Sequence, residues 1–190
     1  MSELVEDIVK DEGAAVLFRI AAMTKDDVEA VKALEVQCNL APWSVEDYKK
    51  ELLRADAITI VAKKEEEVIG FALARLITII IDKKRSNTYK EIELYNIAVT
   101  PNTQNKGIGS ALLNALLTHP SSQPVAKVWL EVRQSNDIAI RFYKKNGFNP
   151  AYFRNNFYSA PLENAIVMEL NVSSFDEISG YYDGSYDKLA

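Results

Sequence analysis

The chain has 190 residues, 48% of them hydrophobic and 26% charged, with a formal net charge of −5, the balance of one soluble globular domain. Its longest apolar stretch, Val68 to Ile81, is broken by Gly70, Arg75 and Thr78, which argues against a membrane span, and the acidic opening Met-Ser-Glu-Leu-Val-Glu-Asp is unlike a targeting peptide. Cys38 is the sole cysteine, which excludes an intrachain disulfide or a cysteine-based metal cluster and fits a reducing, cytoplasmic location; no other ligand spacing suggests a metal.

Charge divides the chain into three parts. Residues 1–15 carry five carboxylates against one lysine, and residues 172–190 carry four against one, together with Phe175, Tyr181, Tyr182 and Tyr186. The predicted domain, 16–171, is close to neutral, so the basic patch of a general nucleic-acid binder is missing. Leu17–Met23 reads as a first strand. Thr24 and Asp27 form a capping-box pattern, and Val28, Val31 and Leu34 follow at helical spacing. After the loop Cys38–Trp43, Ser44 and Asp47 cap a second short helix ending near Arg54. Ala57–Lys63 and Val68–Ile81 read as strands, and a further strand, Glu91–Val99, stops at Pro101. The pattern then gives a helix from Gly107 to Thr118, halted by His119-Pro120, and a strand Lys127–Val132 with Trp129, Glu131 and Arg133 on one face. Ser135 is the expected cap of a last helix, which ends at Asn146-Gly147; short strands near Phe148–Phe153 and Ala165–Leu170 complete the chain. The order β-α-α-β-β-β-α-β-α-β-β predicts an α/β, or α+β, fold with a mixed sheet flanked by helices.

The most informative segment runs from Glu93 to Leu113. A strand enters a turn that opens a helix with glycines at 107 and 109. Free N–H groups at a helix start, together with the positive end of its dipole, suit a diphosphate, and glycine removes the Cβ that would keep the backbone away. The dinucleotide fingerprint needs another glycine where Leu112 stands, and a P-loop needs Gly-Lys-Ser/Thr; both are excluded.

Gln104-Asn-Lys-Gly107-Ile-Gly109 matches in full the Gln/Arg-x-x-Gly-x-Gly/Ala signature of the GNAT N-acetyltransferase superfamily, which the chain therefore resembles. Leu130-Glu-Val-Arg-Gln-Ser-Asn136, Ala139 and Tyr143, with Pro42-Trp43, Asn96–Val99 and Arg154–Tyr158, are similar to the ribosomal-protein-alanine (RimI-type) group of that superfamily. The likeness covers roughly Leu17 to Leu170.

The resemblance implies acetyl-CoA as donor, with its pyrophosphate on the backbone of Asn105, Lys106, Gly107, Ile108, Gly109 and Ser110 and with Gln104 also at the cofactor. It implies that the strand end Ile97, Ala98 and Val99 holds the pantetheine arm, with Asn136, Ala139 and Tyr143 also at the cofactor. Glu131 would be the general base and Tyr143 the general acid, roles that suit a carboxylate and a phenol. Glu93 is a rival base. Leu40, Pro42, Trp43, Arg154, Phe157 and Tyr158 would flank the acceptor, a protein or peptide N-terminus such as that of a ribosomal protein. Two departures from the group stand out: Phe157 where a second tyrosine is usual, and Asn164 where an aspartate is usual. A small-molecule amine as acceptor, or a non-enzymatic acyl-CoA-binding role, are the other readings. Lys83, Lys84 and Arg85 form an expected solvated turn, and His119 an expected surface or cap residue.

Overall fold

The computed structural model describes residues 16–82, 87–119 and 125–172. The acidic ends, apart from Val172, and Lys83-Lys84-Arg85 lie outside the described residues. In chain order the elements are β1 (Arg19–Ala22), α1 (Val28–Gln37), α2 (Val45–Glu51), β2 (Ala57–Lys64), β3 (Glu67–Asp82), β4 (Asn87–Val99), α3 (Ile108–Leu117), β5 (Val125–Arg133), α4 (Asp137–Lys145), β6 (Asn149–Ser159) and β7 (Leu162–Asn171). That is the predicted order. The strands form one mixed seven-stranded sheet in the order β1-β2-β3-β4-β5-β7-β6. Two compact units divide the chain: residues up to Arg75 with Leu94–His119, and Leu76–Glu93 with the C-terminal part, so β3 and β4 each contribute to both.

In the first unit, β1 and β2 pair antiparallel, as do β2 and β3. Helices cover both faces of this part of the sheet. Phe71, Val61 and Ala98 pack with Val28, Val31 and Leu34 of α1 and Tyr48 of α2 in one buried cluster. Gly70, next along β3, faces the other way, where a Cβ would meet Leu112 and Ile108 of α3. Thr24 and Asp27 make the expected capping box, but it opens a single 3-10 turn that leads into α1. Ser44 and Asp47 cap α2, whose α-helical part stops at Glu51: Leu52 N–H makes the last i→i−4 bond, to Tyr48, and Leu53 and Arg54 close tighter turns onto Lys50 and Glu51.

In the second unit, β5 and β6 both pair antiparallel with β7. The strand β5 alternates as predicted: Val128, Leu130 and Val132 are buried, while Trp129, Glu131 and Arg133 are half-buried on the other face. The cap of α4 is Asn136, not Ser135. The Asn136 Oδ1 accepts from Ala139 N–H at 3.1 Å, while Ser135 donates its own N–H to Glu163. Gly147 ends the helix region at φ +90°, as expected of a glycine past a C-terminus. The final hairpin is longer than the predicted short strands, reaching Ser159 on β6 and starting at Leu162 on β7.

Candidate active site

Candidate site residues occur in both units. In the first, β4 ends at Val99 and α3 starts at Ile108, with Gly107 as N-cap at φ +80° and Asn105 at φ +60°. These left-handed conformations turn the chain within a few residues. Asparagine and glycine are the residues that adopt them at least cost. No side chain caps α3, and the bond from Ala111 N–H to the Gly107 carbonyl, 2.9 Å, opens its ladder. The N–H groups of Ile108, Gly109 and Ser110 therefore have no intrahelical carbonyl to donate to.

The turn is locked from behind. Gln104 Nε2 donates to the Val99 carbonyl at 3.0 Å, and Cys38 Sγ approaches the same oxygen at 3.4 Å. Both lone pairs of that carbonyl are engaged by the protein, so Gln104 braces the turn through its side chain. Gly70 allows this strand end its place: a Cβ there would lie 3.0 Å from the Ala98 carbonyl.

Beside the same strand, the loop before α2 is built on a buried carboxylate. Glu35 is fully buried; it accepts from Tyr48 Oη at 2.8 Å and from Trp43 N–H at 3.3 and 3.4 Å. Burial holds its carboxyl above the usual range, outweighing those two donors. Trp43 packs against Tyr48 and, edge-on, against Tyr95, and Leu40 joins the same core. A pocket of about 480 Å³ opens here, lined by Pro42, Trp43, Asp47, Lys50, Glu51, Arg54 and Arg75.

In the second unit, Glu131 pairs with Arg154, whose Nη1 meets its Oε1. Among the described residues Glu131 Oε2 accepts no hydrogen bond. The Arg154 guanidinium lies over the Phe157 ring, 4.2 Å from its centroid. Two residues further along β5, on the same face, Arg133 lies over the Tyr158 ring at 4.0 Å and pairs with Glu163 at 3.2 Å. The same arginine donates to the carbonyls of Ala160, at 3.0 Å, and Pro161, at 3.4 Å, and so holds the hairpin end against β5.

A bulge makes this arrangement possible. The β6–β7 register shifts once between Pro150 and Tyr152, runs evenly from Tyr152↔Val167 to Arg154↔Ala165, and shifts again before Tyr158↔Glu163, which leaves extra residues on β6. Asn156 takes φ +54° there and donates its N–H to Asn164 Oδ1 at 2.9 Å, while Asn164 Nδ2 donates to Gln134 Oε1 at 3.2 Å. An aspartate at 164 could not make the second bond. Both departures from the expected pattern thus have structural roles: Phe157 supports a guanidinium, and Asn164 bridges the bulge to β5.

Tyr143 is buried beside Phe148 and Phe142, with ring centroids at 5.5 and 5.3 Å. Its hydroxyl makes no hydrogen bond among the described residues. Burial, and after it the neighbouring Tyr158, push the phenol well above its ordinary value, so it keeps its proton throughout the neutral range. Tyr158 Oη lies 3.5 Å from the backbone carbonyl of Glu131. Its own phenol is raised by burial and then by the Glu131 charge. Glu93 is half-buried on β4. Asn136 is occupied as a cap, and Ala139 is the residue it caps. His119 is half-buried with an unpartnered Nδ1, which a plain surface or cap role does not explain. No group of metal-ligating side chains occurs among the described residues.

The Arg133 clasp, the asparagine bulge and the buried Glu35 are not among the features expected from the sequence. The last had a signal, since Glu35 falls on the same helical stripe as Val28, Val31 and Leu34.

A strand leading through left-handed turn residues into an uncapped helix start is the architecture of a protein that cradles a diphosphate on backbone N–H groups. The sequence profile of the acetyltransferase (GNAT) family matches residues 28–148. The chain belongs to the GNAT family and is an acetyl-CoA-dependent N-acetyltransferase. The [ribosomal protein bS18]-alanine N-acetyltransferase of Escherichia coli K12 is 32% identical over 156 residues, covering 81% of this chain and 97% of its own. That of Haemophilus ducreyi is 31% identical, covering 80% and 98%. The crystal structure of the E. coli enzyme superposes with a TM-score of 0.68 at 31% identity, over 83% of this chain and 96% of that one.

Proposed function

We propose that the protein transfers the acetyl group of acetyl-CoA to the α-amino group of a protein or peptide N-terminus, in the cytoplasm, with a ribosomal protein as one class of acceptor. The observation that carries this reading is Glu131: its Oε1 is held by Arg154 while Oε2 is left for an incoming amine. The relatives named for alanine N-acetyltransfer to bS18 support the choice of acceptor.

The residues fit the donor. The uncapped start of α3, with Asn105 and Gly107 in left-handed conformations, would hold the diphosphate through the N–H groups of residues 105–110. Acetyl-CoA, when bound, supplies the acetyl group as a thioester. Glu131 Oε2 would take the proton that the amine sheds as its nitrogen forms the new N–C bond and the C–S bond breaks. Tyr143 Oη, protonated at neutral pH, would return a proton to the departing sulfur, and solvent would restore both groups. Glu93 would be the alternative base. Pro42 and Trp43, beside the α2 pocket, would receive the first side chains of the acceptor, with Leu40 as support.

A coenzyme A release assay tests this reading with peptides that differ in their first two residues and with N-terminally blocked controls. Free peptides should support release and blocked peptides none. Release with free polyamines or amino acids but with no peptide would favour the small-molecule reading, for which the lack of a hydroxyl on Phe157 speaks.

A further inference from the structure

We propose that Arg154 is a specificity-determining positioning residue: by neutralising Glu131 it makes the enzyme select α-amines over lysine ε-amines. The inference rests on Glu131 being the base of an α-amine acetyltransferase. Its own ground is the local charge balance. Glu131 and Glu163 are matched by Arg154 and Arg133, and each arginine lies over one ring of the Phe157–Tyr158 pair. Opposite Glu131 on β7 stands Val167, which adds no charge, and Tyr158 keeps its proton because burial raises its phenol. The strand β4, next to β5 in the sheet, adds Glu91 and Glu93, and Glu93 has interactions of its own.

A carboxylate in a partly desolvated site ordinarily attracts an ammonium ion and stabilises it in its charged form. A carboxylate already paired with a guanidinium offers much less of that attraction. An amine must then arrive neutral. At pH 7 roughly one α-amine in ten is neutral, against roughly one lysine ε-amine in 2,500, so a paired base favours the α-amine by about two orders of magnitude before any shape selection. The bulge makes the pairing specific to this hairpin: Asn156 and Asn164 set the turn that lets Arg154 and Phe157 act together at Glu131. Half of the Arg154 side chain is exposed, at 49%, so its replacement removes the pairing with little loss of packing.

The test compares kcat/KM for a peptide with a free N-terminus with that for the same peptide N-terminally blocked and carrying one free lysine. It is run on wild type, Arg154→Gln, Arg154→Lys and Phe157→Leu at neutral pH. The α-to-ε ratio should fall ~10-fold or more in Arg154→Gln, through a gain in lysine turnover. It should return to within ~3-fold of wild type in Arg154→Lys and take an intermediate value in Phe157→Leu. An unchanged ratio in folded Arg154→Gln, or equal loss of both activities, overturns the inference and leaves the α-amine reading standing. Wild-type enzyme that acetylates amines but no free N-terminus, or Glu131→Gln with wild-type rates, overturns that reading and this inference with it.

Discussion

Glu51 and Arg75 are joined by two hydrogen bonds of 2.6 Å, and only the arginine has a path to water: its side chain is 30% exposed, that of Glu51 3%. The pair ties α2 to β3 beneath the Trp43 pocket, and the guanidinium also lies 5.0 Å from the Tyr95 ring centroid. The asymmetry of exposure gives an asymmetry of mutational cost. Arg75→Met strands a buried carboxylate whose nearest remaining cation is Arg54 at 3.9 Å, and should cost about 3 kcal/mol. Glu51→Leu with Arg75→Met should recover most of that loss. Urea denaturation of the single and double variants measures both.

The buried Glu35 gives a pH dependence of known sign. Its folded carboxyl titrates above its ordinary value of 4.5, so over that interval the folded state binds more protons than the unfolded state. Its contribution to stability is greatest below about 4.5 and declines as pH rises through the folded value. Glu35→Gln removes this titration while still accepting from Tyr48. Its Tm relative to wild type should therefore climb as pH rises above about 4.5. A constant difference across that range would contradict the assignment.

Tyr143→Phe separates catalysis from packing. The hydroxyl has no protein partner among the described residues, so its removal should change stability by less than about 1 kcal/mol. If it is the proton donor, kcat should nonetheless drop ~10²-fold, within the usual range for general acid catalysis. Steady-state kinetics beside thermal melts decides the point.

Gly70→Ala tests the strand end that is expected to hold the donor. The new Cβ would stand 3.0 Å from the Ala98 carbonyl and 3.2 Å from Leu112 Cδ1, and the first of these is backbone that cannot turn aside. Overpacking of this kind should cost about 1–3 kcal/mol and raise KM for acetyl-CoA several-fold while leaving KM for the acceptor nearly unchanged.

The order of elements, the helix start after β4 and the alternation of β5 were legible because each follows from a local period or a local conformational demand. Glycine before a helix and every second residue along a strand carry that information within a few positions. The hairpin was harder to read. Its conformation depends on Arg133 and Glu163, thirty positions apart in sequence, and on an asparagine bridge from 156 to 164 to 134. Nothing in the text around Phe157 says that the ring will carry a guanidinium. The Ser135 cap failed for a similar reason: the Glu163 carboxylate takes the Ser135 N–H, and Asn136 is left to start the helix.

The strand β6 ends the sheet order and is exposed along nearly all its length, including Tyr152 and Phe153. A flat, apolar border of that kind would be an open template for strand addition by other chains. Here Pro150 cannot donate to a neighbour, and two register shifts within eleven residues spoil the spacing a second strand would need. The irregularity that follows Arg154 thus also keeps the exposed border from recruiting strands, so straightening the bulge would trade solubility as well as selectivity.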